Sequence, residues 1–115
     1  RGTTVLDSLE KKFTYIQEEK TFFAAAFRYD RQNSLREHDF KLIRQFYIDQ
    51  IEGKSHRKIS DKLLFQLEMY CQGSVFMTTQ WVLGNKNFTP QELAGLLADA
   101  MPKELADVFR EVNLI

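Results

Sequence analysis

Apolar residues recur along this chain at spacings of three and four, with little interruption from proline or glycine, and that period predicts helices throughout. In the first segment Val5, Leu6, Leu9, Phe13 and Ile16 share a face, and Thr3 or Thr4 is placed to cap its start with a side-chain oxygen. The polar run Gln17-Glu18-Glu19-Lys20 breaks this stripe, and a short second helix from Thr21 to about Tyr29 restarts it with Phe22, Phe23 and Phe27. A turn over Asp30-Arg31-Gln32-Asn33 leads to Ser34-Leu35-Arg36-Glu37, which has the spacing of a capping box.

The third helix starts at about Leu35 and carries Leu42, Ile43, Phe46, Tyr47 and Ile51 on a broad face, until the basic stretch Gly53 to Lys58 ends it as a solvated loop. Ser60 caps a fourth helix that runs to about Leu83 and stops at Gly84-Asn85. A second capping box, Thr89-Pro90-Gln91-Glu92, has proline at the first helical position, where its missing N–H costs nothing. It opens a fifth helix with Leu93, Leu96, Leu97, Ala100 and Met101 on one face. Pro102 breaks the chain before a last short element bearing Leu105, Val108, Phe109 and Val112. The expected fold is an all-α bundle of five to six helices, forming one domain over residues 1–115.

The fourth helix is unlike the others. From Met69 to Asn85 no residue is charged. Gln72, Thr78, Thr79 and Gln80 interrupt the run, so it falls short of the roughly 20 apolar residues that a membrane span needs. At 100° per residue, Leu63, Leu67, Tyr70, Ser74, Met77 and Trp81 fall on one side, and Phe65, Met69, Gln72, Phe76 and Leu83 nearly opposite. A helix that is apolar on both sides must be covered on both. Either the domain wraps it centrally, or one face meets its own domain and the other a second copy. Five large side chains at about 1.5–3 kcal/mol each amount to roughly 7–15 kcal/mol before ordering costs, as much as a whole domain's stability. We therefore expect a dimer. Gly73 supports this expectation, because an interior helix glycine costs about 1 kcal/mol and commonly marks close backbone approach.

Composition narrows the function. Apolar residues make up 43% and aromatics 13%, with 10 Phe, which is ample material for a core with an aromatic-lined pocket. The 16 basic and 16 acidic residues cancel, removing the electrostatic footprint of a phosphate-gripping surface. Cys71 is the single cysteine, so no internal disulfide forms, and a buried thiol in a reducing cytoplasm is expected. His38 and His56 have no ligand-spaced partners, and neither a phosphate loop nor a nucleophile elbow occurs; no metal, cofactor or enzymatic activity is expected. The chain opens on Arg1-Gly2 without a methionine, so a segment upstream is expected.

Two stretches resemble the C-terminal half of a TetR-family transcriptional regulator. One is Phe13 to Phe23, with its helix, polar break and aromatic restart; the other is Trp81-Val82-Leu83-Gly84 followed by Phe88-Thr89-Pro90-Gln91-Glu92-Leu93-Ala94. The second is similar to the subgroup that contains the dihydroxyacetone kinase operon regulator. The resemblance implies an effector-binding and dimerisation domain, with the fourth and fifth helices pairing with their copies in a four-helix bundle. It also implies that operator DNA is reached only through an N-terminal helix-turn-helix outside this chain. Partners would be a second copy and either a small apolar effector or a protein co-regulator. The competing reading is a stand-alone helical protein–protein interaction module. Candidate pocket residues are Phe23, Phe27, Phe46, Tyr47, Phe65, Met69, Gln72 and Phe76. Candidate dimer-interface residues are Tyr70, Gly73, Met77, Trp81, Leu93, Leu96, Leu97 and Ala100.

Overall fold

A computed structural model describes residues 4–30 and 34–114. These form six helices: α1 (Val5–Glu18), α2 (Lys20–Arg28), α3 (Ser34–Ser55), α4 (Asp61–Val82), α5 (Pro90–Asp99) and α6 (Lys103–Glu111). No strand occurs among the described residues. The order and the breaks follow the hydrophobic pattern. The alternative cap Thr3 and the turn at Arg31-Gln32-Asn33 lie outside the described residues.

The helix ends show why the breaks fall where they do. Thr4 Oγ1 accepts from the Asp7 N–H at 3.2 Å, and Ser60 Oγ accepts from Leu63 at 3.2 Å. Each satisfies one of the N–H groups a helix start leaves unpaired. The box at Thr89 is complete: Glu92 N–H donates to Thr89 Oγ1 at 3.1 Å, and Thr89 N–H donates to the Glu92 carboxylate at 2.9 Å. At the end of α4, Gly84 takes φ +89°, a left-handed conformation that glycine adopts without strain. Its N–H reaches the Trp81 carbonyl while that of Asn85 reaches Gln80 at 2.9 Å, satisfying two otherwise orphaned carbonyls. Asn113, at φ +63°, does the same for α6, and Leu114 then accepts from the Val5 N–H at 2.6 Å. The end of α6 is thereby tied to the start of α1.

Two expected boundaries change. Ser34 is the first residue of α3, and its hydroxyl donates to Asp30 at 3.2 Å; the Ser34–Glu37 box does not cap the helix. The Asp30 carboxylate takes that place by accepting from the Leu35 and Arg36 N–H groups. Burial works against its charge, but those N–H groups, the Ser34 hydroxyl and the Arg36 guanidinium outweigh it and hold the carboxyl below the ordinary carboxylate range. At its other end α3 continues through Gly53 and Lys54, stretching the helix into the expected loop. The turn comes at His56, which adopts φ +59° and donates its N–H to the Glu52 carbonyl at 3.0 Å.

Two buried clusters organise the interior. One joins the start of α1 to α3, the first half of α4, and α6, around Leu67, Cys71, Leu105 and Phe109. The other joins the end of α1 to α2, the last turns of α4, and α5, around Phe13, Phe27, Trp81 and Leu93. Phe13 meets the Trp81 ring edge-on at 5.6 Å, and the Trp81 indole N–H donates to the Phe88 carbonyl at 2.7 Å, so that the ring's one polar atom is paired. Ion pairs brace the outside: Arg44 holds Glu68 at 2.7 Å between α3 and α4, and Lys62 meets Glu104 at 3.1 Å between α4 and α6.

Candidate effector pocket and dimerisation face

α4 passes through both clusters, and the middle of its inner side includes several small residues. Leu67 and Cys71 are fully buried, and Val75, Thr78, Thr79, Trp81 and Val82 are buried with them. Small side chains let α2, α3 and α6 crowd against this helix. Their hydroxyls are met locally: Thr79 donates to the Val75 carbonyl and Ser74 to the Tyr70 carbonyl, each at 2.8 Å. Burial pushes the Cys71 thiol up to about 12, so it stays protonated and behaves as a small apolar group.

Between the two clusters lies a cavity of about 450 Å³. Leu9, Phe13 and Ile16 of α1, Phe23 and Phe27 of α2, Phe46 and Tyr47 of α3, Tyr70 and Val75 of α4, and Leu97 of α5 form its walls. That volume fits a drug-sized molecule, and the wall is mainly apolar, as such sites usually are. Of the expected pocket residues, Phe23, Phe27, Phe46 and Tyr47 are brought together here.

Phe65, Met69, Gln72 and Phe76 are not. They lie on the opposite side of α4, where Phe65 is 64% exposed, Met69 63% and Phe76 58%. With Gly73 and with Phe40 of α3 they line a shallow open groove. The residues expected on the outside move inward. Trp81, Leu93 and Leu97 are buried, Met77 packs on the second cluster, and Tyr70 lines the cavity with its hydroxyl donating to the Leu97 carbonyl. The two faces of α4 are therefore exchanged relative to the sequence expectation. Of the expected interface residues, Gly73, Leu96 and Ala100 remain exposed. Along the middle of α4 the inward positions Cys71, Ser74, Val75, Thr78 and Thr79 are small, which suits close packing, and the large inward residues Tyr70 and Trp81 each place their polar atom on a backbone carbonyl. The bulky Phe65, Met69 and Phe76 project outward. Gly73 belongs with these: a Cβ built on it meets nothing within 4 Å.

The cavity also holds two charged residues that sequence reasoning passed over, Lys12 and Asp39. Each interrupts an apolar helical stripe, Lys12 between Leu9, Phe13 and Ile16, and Asp39 between Leu35, Leu42 and Ile43. That spacing was the available signal. Although Lys12 is exposed and Asp39 half-buried, desolvation by the surrounding apolar wall lowers the Lys12 ammonium below its ordinary value, partly opposed by the Asp39 carboxylate, and raises the Asp39 carboxyl, partly opposed by Lys12.

No helix among the described residues is long and apolar enough to cross a membrane. Neither a curated protein nor a solved structure matches the chain at a significant level. Residues 3–103, nearly the whole chain, match the TetR family described as a transcriptional regulator C-terminal region. A six-helix array with a long two-sided helix at its centre agrees with that match, and the chain belongs to the TetR family of transcriptional regulators as the C-terminal region of one.

Proposed function

We propose that this region dimerises through the outer row of α4 and senses an effector in the cavity behind it, working in the cytoplasm as the non-enzymatic half of a regulator. Its operator contacts then come from a helix-turn-helix outside these 115 residues. The observation that carries this reading is the two-sidedness of α4: one side walls an apolar cavity, and the other exposes Phe65, Met69 and Phe76 in a row. Met and aromatic side chains are enriched in the cores of protein interfaces. Burying the rest of these three side chains on each of two copies yields about 6–11 kcal/mol, set against roughly 4–15 kcal/mol of association cost. That is consistent with self-association that Leu96 and the exposed edge of α5 extend.

Regulation follows from the shared helix. An effector that binds one arrangement of the cavity walls more tightly than another biases α4 and, through it, the angle between two copies. Two DNA readers must sit one helical turn apart, so that angle governs operator binding. The Trp81–Gly84 and Phe88–Ala94 motifs favour the dihydroxyacetone kinase operon regulator subgroup for the parent protein.

A fusion tests the reading. Placed behind a DNA-reading head that binds its operator only as a dimer, the chain should restore operator binding. Met69→Lys should abolish it, and Tyr29→Ser, exposed outside both surfaces, should not. Restoration that survives Met69→Lys would remove α4 from the interface.

A further inference from the structure

Lys12 and Asp39 face one cavity from two helices, α1 and α3, yet they form no ion pair with each other, and neither makes a hydrogen bond among the described residues. Each has large apolar neighbours on its helical face, Leu9 and Ile16 around Lys12 and Leu35, Leu42 and Ile43 around Asp39. Surface charges that merely solubilise a domain occupy the polar face instead. Lys12 is exposed and Asp39 half-buried at this concave, mostly apolar site, so water meets both charges in the free chain, and a ligand that covers them must replace that water with its own head group. The other polar groups of the wall do not compete for this role. Ser74 and Tyr70 already donate to backbone carbonyls, and the wall's other polar side chains, the hydroxyls of Ser8, Tyr15, Tyr47 and Thr78, are neutral.

Accepting the cavity as the effector site, we propose that it takes a molecule with an aromatic or branched aliphatic body and an uncharged head that both accepts and donates hydrogen bonds, such as a carboxamide. The Lys12 ammonium donates to the head's carbonyl oxygen, and the Asp39 carboxylate accepts from its N–H. The reasoning is one of charge balance. A carboxylate would gain Lys12 but meet Asp39; an ammonium would gain Asp39 but meet Lys12. Either would also have to shed its hydration beside Phe13 and Phe27, at a cost a neutral head avoids. The pair also gives specificity by exclusion, since a purely apolar molecule that covers the two charges strips their water and offers nothing in its place.

The test uses four probes that share one body: 4-phenylbutanamide, 4-phenylbutanoate, 4-phenylbutylamine and butylbenzene, titrated into the chain by calorimetry with Tm shifts in parallel. The wild type should bind the amide about tenfold more tightly than each of the others, the difference a charge-assisted hydrogen bond typically makes. Removing one charge should reorder the series. Lys12→Met should favour the amine and Asp39→Asn the carboxylate, each over the amide. Thermal unfolding of both variants without probe shows whether they fold. If butylbenzene binds as well as the amide and the variants do not reorder the series, the head-group assignment is wrong while the cavity remains a ligand site. If none of the four binds at millimolar concentration, the effector reading fails as well.

Discussion

Gly73→Ala should move the fold and the dimer in opposite directions. The substitution adds one methyl group to an exposed position in the middle of α4, where an added Cβ meets nothing within 4 Å. Within the monomer the change is purely one of helix propensity, worth about 1 kcal/mol in favour of alanine. For a chain of 115 residues, with an unfolding entropy of about 2.1 cal/mol/K per residue, that raises Tm by roughly 4 °C. Across a two-fold interface the same methyl enters the closest approach of two helices. Overpacking there costs about 1–3 kcal/mol, or roughly 5- to 150-fold in Kd. Thermal unfolding at a dilution that dissociates the dimer reads the first term, and a sedimentation-velocity dilution series reads the second. Gly73→Leu should weaken association further without unfolding the chain. An unchanged or tighter Kd for Gly73→Ala would show that no partner helix crosses at Gly73. A lower Tm on dilution would show that the glycine is needed by the fold itself.

Two further outcomes follow from the charges and the thiol. Asp30 is depressed from its ordinary value of 3.8, so its capping of α3 stabilises the fold fully above that pH and is lost as the pH falls through and below it. Urea midpoints of the wild type should drop relative to those of Asp30→Asn on going from pH 5 to pH 2, and parallel curves would refute the role of the carboxylate. Cys71, fully buried and with its thiol pushed up to about 12, should resist a maleimide at pH 7 until urea unfolds the chain. Rapid stoichiometric labelling of the native protein would contradict its burial.

The helices were legible because each boundary is written locally. Thr4, Ser60 and the Thr89–Glu92 box are caps whose partners lie three residues away, and Gly84 is needed for a left-handed turn. The start of α3 was misread because Asp30 reaches it from five and six residues away. Fold class followed from the same period, and four of the residues that line the cavity, Phe23, Phe27, Phe46 and Tyr47, followed from apolar stripes on α2 and α3.

The orientation of α4 was not legible, because hydrophobicity alone ranks its two faces equally. Cys71, Ser74 and Thr79 look mildly polar in sequence, but the hydroxyls of Ser74 and Thr79 bond to their own helix and the Cys71 thiol behaves as a small apolar group, so these residues can face inward. Lys12 and Asp39 were overlooked because a charge reads as solvent-facing, and Lys12 is indeed exposed; only the fold shows that both lie beside the same apolar wall.

The most direct measurement of the central claim is the solution mass of two chains, wild type and Met69→Lys, by light scattering at high micromolar concentration, with circular dichroism confirming equal helicity. The wild type should weigh twice 13.6 kDa and the variant 13.6 kDa. A wild type of 13.6 kDa, or a helical Met69→Lys that remains double that mass, would contradict it.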